Sequence, residues 1–166
     1  MTSRKTALSL RFALAAAALA ALPLMGSSVA MAEEGEGVPE ECALTISGDD
    51  QMQFDKKELS VPSSCETVSL TLEHSGSMDA TAMGHNWVLA PTDAYEEIAQ
   101  AGMQAGPDAG YLPEDDRIIA ATDIIGGGES TTVEFSTADL AGQDLTFFCS
   151  FPGHYSMMNG TFTVTE

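Results

Sequence analysis

Short runs of strand-forming residues, separated by turn residues, are the feature that most restricts the fold of this 166-residue chain. Residues 68–72 alternate apolar and polar side chains with a period of two, as a half-buried strand does. Turn signals lie at 48–50 (Gly-Asp-Asp) and at 126–128 (three glycines). Similar runs occur at residues 43–47, 87–89, 117–121, 131–135, 145–148 and 161–164. Many short strands with regular turn signals predict an all-β sandwich or barrel.

One segment departs from this pattern. Asp93 and Glu96 have the spacing of a capping box, and Tyr95, Ile98 and Ala99 share one helical face before Gly102. We therefore expect one short helix, around residues 93–101, inserted between strands.

The first 32 residues have the composition of a secretory signal. Three basic residues precede an apolar, alanine-rich run at 12–24, and Ala30-Met31-Ala32 supplies a small-x-small cleavage site. The run is shorter than the roughly 20 residues that a membrane span needs. Residues 33–41 then form an acidic segment without apolar periodicity, which we expect to be a flexible arm. A soluble, exported protein with a single domain at 42–166 is expected.

The part of the chain that follows the predicted signal is strongly acidic. It holds all 25 acidic residues but only three of the six basic ones, so its net charge is −22 against −19 for the whole chain. Such a charge repels nucleic acid and anionic lipid, so neither is expected as a partner. Two interpretations stay open: solubility in a salty medium, and a docking face for a basic partner.

Three cysteines are an odd number for an exported protein. Cys42 and Cys65 flank a turn-rich stretch and can close a loop, which would stabilise the fold by roughly 3 kcal/mol in the chain-entropy model. Cys149 is then left over. A free exported thiol is a liability unless something such as a metal holds it.

Cys149 belongs to a dense group of potential metal ligands. His154 and Met158 follow it within ten residues, and His85 lies far upstream. Two imidazoles, a thiolate and a weak axial thioether are the ligand set of blue-copper electron-transfer centres. Cys149 ends an apolar strand, and the turn at 152–153 can bring His154 and Met158 back. His85 can join them if the strands at 85–89 and 145–149 are neighbours.

These motifs resemble the cupredoxin family of blue-copper proteins, and its azurin branch in particular. The Cys-x4-His-x3-Met spacing is specific to that branch, and the spacing of Cys42 and Cys65 also matches. The likeness covers about residue 42 to the end of the chain. The stretches that match are residues 50–54 (Asp-Gln-Met-Gln-Phe), 83–89 (Met-Gly-His-Asn-Trp-Val-Leu) and 147–154 (Phe-Phe-Cys-Ser-Phe-Pro-Gly-His).

The resemblance implies a Greek-key β-sandwich with one type 1 copper that cycles between Cu(I) and Cu(II). It implies that His85, Cys149 and His154 form a trigonal plane around copper. Met158 would be the long axial ligand, with the Gly84 carbonyl weakly opposite, and Met157 a loop hydrophobe. His74 matches a position that is a neighbour of the site and not a ligand.

The resemblance also assigns residues around the ligands. Asn86 would tie the two ligand loops together, although a simple turn residue is an equal alternative. Met52, Met83, Met103 and Phe151 would form the apolar patch through which electrons leave at His154. Two differences from the family bear on the partner: the acidic arm is longer than usual, and Ala121 stands where some members have a surface histidine.

The expected function is a soluble, monomeric, periplasmic electron carrier that exchanges electrons with redox proteins such as c-type cytochromes or reductases. The main alternative is a periplasmic copper-delivery module without redox turnover. A Cys–His hydrolase lacks an oxyanion-hole signature in this sequence. A structural zinc site would not normally use a thioether ligand. We therefore expect a carrier and not an enzyme.

Overall fold

A computed structural model describes residues 37–165. The predicted signal at 1–32 and residues 33–36 of the acidic arm lie outside the described residues. Of the arm, Val38 packs against the core, and a 3-10 turn covers Glu40–Cys42. No helix in this part of the chain is both long and apolar enough to cross a membrane.

Between residues 37 and 165 the chain forms eight strands in two sheets, which confirms the predicted β-sandwich. The first sheet has the order β1-β3-β6 and the second the order β2-β8-β7-β4-β5. The strand bounds are β1 Ala43–Gly48, β2 Glu58–Pro62, β3 Thr67–His74, β4 Val88–Pro91, β5 Ala120–Ala121, β6 Ser130–Ser136, β7 Leu145–Phe148 and β8 Asn159–Thr165.

The main core lies between the two sheets, because alternating residues of both contribute to one apolar cluster. Val68, Leu70 and Leu72 of β3 are fully buried, as the period of two predicts. They share this cluster with Leu89 and Phe147 of the second sheet. Trp87 is fully buried there against Phe135 of the first sheet and Phe147 of the second.

A helix covers the outer face of the second sheet. This helix, α2, spans Tyr95–Ala105. Its Ile98 and Ala99 pack with Val88 of β4 and Phe148 of β7 in a second apolar cluster. Residues of β4 and β7 therefore have apolar neighbours on both faces. This explains why these strands read as continuous apolar runs and not as an alternation.

The helical insertion is confirmed, but its ends differ from those predicted. The helix begins at Tyr95, its N-cap is Ala94, and no side chain caps it, so the Asp93 capping box was wrong. Gly102 lies inside the helix and is buried. A Cβ there would lie 2.2 Å from the Tyr111 carbonyl, so only glycine fits this position. The helix ends instead at Gly106, whose φ of 80° is accessible mainly to glycine. A second short helix, α1 at Ala80–Met83, was not predicted.

Two strands also differ from the prediction. The sequence reading missed β2, although its Leu59 and Val61 alternate with polar residues and are buried. The strand expected at 117–121 shrinks to two residues. Arg117 instead lies at a turn, where its guanidinium pairs with Asp115 and Glu97.

Cys42 and Cys65 form a disulfide, as the sequence predicted, with their Cα atoms 5.6 Å apart. It joins the segment before β1 to the turn between β2 and β3. Cys149 is the free cysteine of the described residues, and it is buried.

Candidate metal centre

The pairing of β4 with β7 builds the site. Val88 pairs with Phe148 in an antiparallel register, so the segment before β4 lies beside the segment after β7. Cys149 is the first residue after β7, and His85 is held just before β4 by an antiparallel bridge to Ile125. The neighbouring strands that the sequence required for His85 and Cys149 are therefore present.

A ten-residue loop, 149–158, connects β7 to β8 and carries the remaining candidate ligands; it is called the ligand loop below. Its two ends are joined, because the Cys149 amide donates to the Met158 carbonyl at 3.0 Å. Inside the loop the amides of Met157 and Met158 donate to the His154 carbonyl, at 2.9 and 2.8 Å. Local hydrogen bonds thus bring His154 and Met158 back towards Cys149.

Three buried side chains converge at one point: His85, Cys149 and His154, whose ligand atoms all lie within 4.8 Å of one another. The Cys149 sulfur is 4.0 Å from His85 Nδ1 and 3.6 Å from His154 Nδ1. Metal bonds of about 2.0 Å to nitrogen and 2.3 Å to sulfur, at a trigonal angle, would place these atoms about 3.7 Å apart. The donor set and its spacing therefore fit a metal ion with two imidazoles and one thiolate.

The His85 ring is oriented by its other nitrogen. Its Nε2 lies 2.8 Å from the Asp49 carbonyl, which can only accept, so Nε2 carries the proton and Nδ1 keeps its lone pair. A Cβ at Gly48 would lie 2.7 Å from the His85 ring, so the chain can approach this closely only through glycine. The sequence reading missed both contacts, because they come from the end of β1, far away in sequence.

Two further groups close to these three residues are the axial candidates, the Met158 side chain and the Gly84 carbonyl. Met158 is fully buried, and its terminal methyl approaches Gly48 close to the His85 ring. The Gly84 carbonyl is 4.0 Å from the Cys149 sulfur. Met157, in contrast, is half exposed. This arrangement supports Met158 over Met157 as the axial side chain.

Asn86 joins the two ligand-bearing segments. Its amide nitrogen donates to the Ser150 hydroxyl, and its carbonyl accepts from the Ser150 backbone amide, each at 2.8 Å. Asn86 and Ser150 are both buried. Ser150 had not been singled out in the sequence, and its position next to Cys149 was the available signal.

His74 is a neighbour of the site and has no nitrogen left for a metal. Its ring stacks on His85 with the centroids 4.3 Å apart. Its Nε2 donates to the Met83 carbonyl at 2.8 Å, and its Nδ1 accepts from the Gly76 amide at 3.1 Å. Both nitrogens are therefore occupied by hydrogen bonds.

Burial controls the protonation of the ligand groups. It raises the pKa of the Cys149 thiol to about 12, because a thiolate without a counter-charge is disfavoured there. Burial, followed by the nearby His85 and His74, lowers the pKa of His154 to about 4. At neutral pH, His154 thus offers a neutral lone pair, while Cys149 loses its proton only when a cation replaces it.

The apolar patch expected around His154 is only partly outlined. Phe151 packs on the His154 ring with centroids 4.7 Å apart. Met52 and Met83 are half-buried, and Met103 on α2 is exposed. Beside Phe151 lies a mainly apolar hollow of about 380 Å³ that the sequence reading did not identify; its lining residues are Ala80, Thr81, Pro107, Tyr111, Ile124 and Phe151.

Comparison with known proteins agrees with this geometry. The family model of copper-binding proteins of the plastocyanin/azurin type matches residues 40–165. The azurin of Pseudomonas fluorescens biotype A is 51% identical over 126 residues, covering 75% of this chain and 98% of that protein. The azurin of Bordetella pertussis is 47% identical over 128 residues, covering 76% of this chain and 85% of that one.

A solved structure of the azurin Az-iso2 from Methylomonas sp. strain J shares the fold. Its TM-score is 0.72 and its sequence is 44% identical, with 75% of this chain and 98% of that chain covered. The fold and the site together define a blue-copper protein with one type 1 copper site, whose function is to carry single electrons. The chain belongs to the plastocyanin/azurin family of copper-binding proteins.

Proposed function

We propose that His85, Cys149 and His154 hold the copper ion of this electron carrier, with Met158 and the Gly84 carbonyl as weak axial ligands. The convergence of two imidazoles and one thiol in a fully enclosed site is the observation that carries this proposal. Copper supplies a one-electron couple between Cu(I) and Cu(II) when it is bound. A buried donor set of two imidazoles and one thiolate suits both oxidation states of copper.

The protein's part in electron transfer is to keep the ligand geometry fixed. Asn86 locks the Gly84–His85 segment to the start of the ligand loop, and the Cys149 amide locks the two ends of that loop. A hydrogen bond to the Asp49 carbonyl fixes the His85 ring from a third part of the chain, the end of β1. A site that is held from several sides changes little when the charge of the metal changes, so little reorganisation opposes transfer.

We further propose that electrons leave at the His154 edge, through a patch formed by Met52, Met83, Met103 and Phe151. Contact between Phe151 and His154 supports this route, because it continues the path from a ligand to an apolar ring. The partner would be another redox protein, such as a c-type cytochrome or a reductase. Encounters of this kind bury little area and are brief, which suits a monomeric carrier.

The predicted signal at 1–32 supports a periplasmic location. In that compartment the protein would act as a soluble carrier and not as an enzyme. The Cys149 thiol is fully buried, so a substrate cannot reach it as a hydrolytic mechanism would require.

The proposal can be tested by adding Cu(II) to the folded protein. We expect an intense blue colour that dithionite bleaches reversibly, because the thiolate ligand produces the colour of such sites. A colourless complex would contradict the ligand assignment and favour zinc binding, hydrolysis or copper storage.

Stopped-flow measurements at several ionic strengths test the docking proposal. We expect the rate of transfer to a cytochrome to be constant or to rise with salt, because acidic residues occur along the whole chain from residue 33 onward. A steep fall in rate would instead indicate attraction to a basic partner.

A further inference from the structure

Lys57 contacts the ligand loop from outside the site. Its ammonium donates to the carbonyl of Met157 at 2.6 Å and to that of Asn159 at 3.3 Å. These two residues flank Met158, the proposed axial ligand. A side chain that is 100 residues away in sequence therefore holds both neighbours of that ligand.

The backbone of Lys57 is fixed against the same segment. Its carbonyl accepts a hydrogen bond from the Thr161 amide at 2.9 Å, and β2, which starts at Glu58, pairs in parallel with β8. A Cβ at Gly160 would lie 2.4 Å from the Lys57 carbonyl, so the two backbones are in tight contact. The ammonium thus reaches Met157 from an anchored position.

The contact of Lys57 with the ligand loop is unusual because the described part of this chain has few basic residues and the others pair with carboxylates. Lys56, Lys57 and Arg117 are the only lysines and arginines among residues 37–165. Lys56 pairs with Asp55, and Arg117 pairs with Asp115 and Glu97. Within the described residues, Lys57 has no carboxylate partner, and its hydrogen bonds go to backbone carbonyls of the segment around Met158.

These bonds complete the fixation of three successive carbonyls. Lys57 takes those of Met157 and Asn159, while the Cys149 amide takes that of Met158. The ammonium donates to two of them and places its positive charge next to both neighbours of the axial ligand.

We propose that Lys57 is a positioning residue of the copper site, which fixes the segment around Met158 and favours the reduced metal through its charge. The proposal rests on the ligand assignment of Met158. The reduced site carries one positive charge fewer than the oxidised site. A nearby cation therefore disfavours oxidation, and its removal should lower the reduction potential.

The test uses four variants of the full-length protein. Lys57→Gln and Lys57→Met remove the charge, Lys57→Arg retains it, and Lys56→Gln removes an equal charge from a neighbour that contacts Thr45 and Asp55 instead. The potential is measured by voltammetry of the copper form at low and high salt. Amide hydrogen exchange of Met157 and Met158 is measured in the metal-free protein.

In Lys57→Gln and Lys57→Met we expect a lower potential and an exchange rate higher by about fivefold, the size expected for the loss of one solvent-exposed hydrogen bond. Part of the fall in potential should persist at high salt, because salt screens the effect of the lost charge but not a change in ligand geometry. Lys57→Arg should keep the wild-type potential and exchange rate, and Lys56→Gln should leave the exchange rate unchanged.

Two results would overturn the proposal. If Lys57→Gln and Lys56→Gln behave alike, Lys57 is one surface charge among others. If the potential of Lys57→Gln falls only at low salt and its exchange is unchanged, Lys57 acts through charge alone and positions nothing. A wild-type protein that is colourless with Cu(II) would instead contradict the ligand assignment itself.

Discussion

The regions at the two ends of strand β1 contain cysteine in different chemical states, a disulfide at one end and a free thiol at the other. Cys42 precedes the strand and forms a disulfide with Cys65, whereas Gly48 ends it against the ring of His85. Six residues separate the two ends by about 17 Å. One end is thus closed by a covalent bond between two cysteines, and the other holds a single buried thiol.

The difference shows how partners decide what a thiol does. Cys42 and Cys65 satisfy each other, so their contribution is mainly a shorter unfolded chain. The Cys149 sulfur lies close to the imidazole nitrogens of His85 and His154, and burial raises the pKa of the thiol to about 12. It therefore needs a cation before it can ionise. Stability and metal binding should accordingly be separable, and the following predictions test that separation.

The largest effect is expected from Cys149→Ser. The change replaces a soft thiolate with a poor neutral ligand, so the blue absorption should vanish and Cu(II) affinity should fall by several orders of magnitude. Absorption titration with Cu(II) measures this, and circular dichroism of the metal-free variant checks its fold. A variant that stays blue would show that another residue supplies the thiolate role.

Removal of the disulfide should lower the stability of the protein and leave copper binding unchanged. Cys42→Ala with Cys65→Ala should lower the free energy of unfolding by about 3 kcal/mol, because a cross-link over 23 residues is lost. The copper spectrum should not change. Thermal unfolding and absorption spectra of the same sample measure both, and a loss of copper binding would end the separation of the two regions.

Asn86→Ala should affect both properties at once. It removes two buried hydrogen bonds to Ser150, which should cost about 2–3 kcal/mol of stability. It should also shift the reduction potential, because the two ligand-bearing segments are no longer tied. Denaturant unfolding and voltammetry test this; an unchanged potential would make Asn86 a turn residue only.

Met158→Gln should be milder for copper, since the axial contact is long. We expect a coloured site with a lower reduction potential, because a harder oxygen ligand favours Cu(II). Met157→Gln is the matched control, since its side chain is half exposed. If only the control shifts the potential, the axial assignment moves to Met157.

The smallest effect on the copper site is expected from Met83→Lys. It should slow electron transfer several-fold without altering the spectrum, because it places a charge in the proposed docking patch. Thr163→Lys, an exposed position on β8 towards the disulfide end, is the control. Equal rates for the two variants in stopped-flow transfer would place the exit route elsewhere.

Local patterns determined much of this protein. The strand at Thr67–His74 follows from its alternation, and the disulfide from the cysteine count. The ligand types and their order along the chain also came from sequence. The helix ends did not, because Gly102 is kept for close packing against Tyr111 and not for a turn.

Tertiary structure decided what surrounds the ligands. The Asp49 carbonyl that orients His85 lies 36 residues away in sequence, Ser150 lies 64 from Asn86, and Met157 lies 100 from Lys57. None of these contacts has a local signature, because a backbone carbonyl is present at every residue. Sequence determined which atoms can bind a metal. Only the packing of two sheets determined which carbonyls and amides hold those atoms in place.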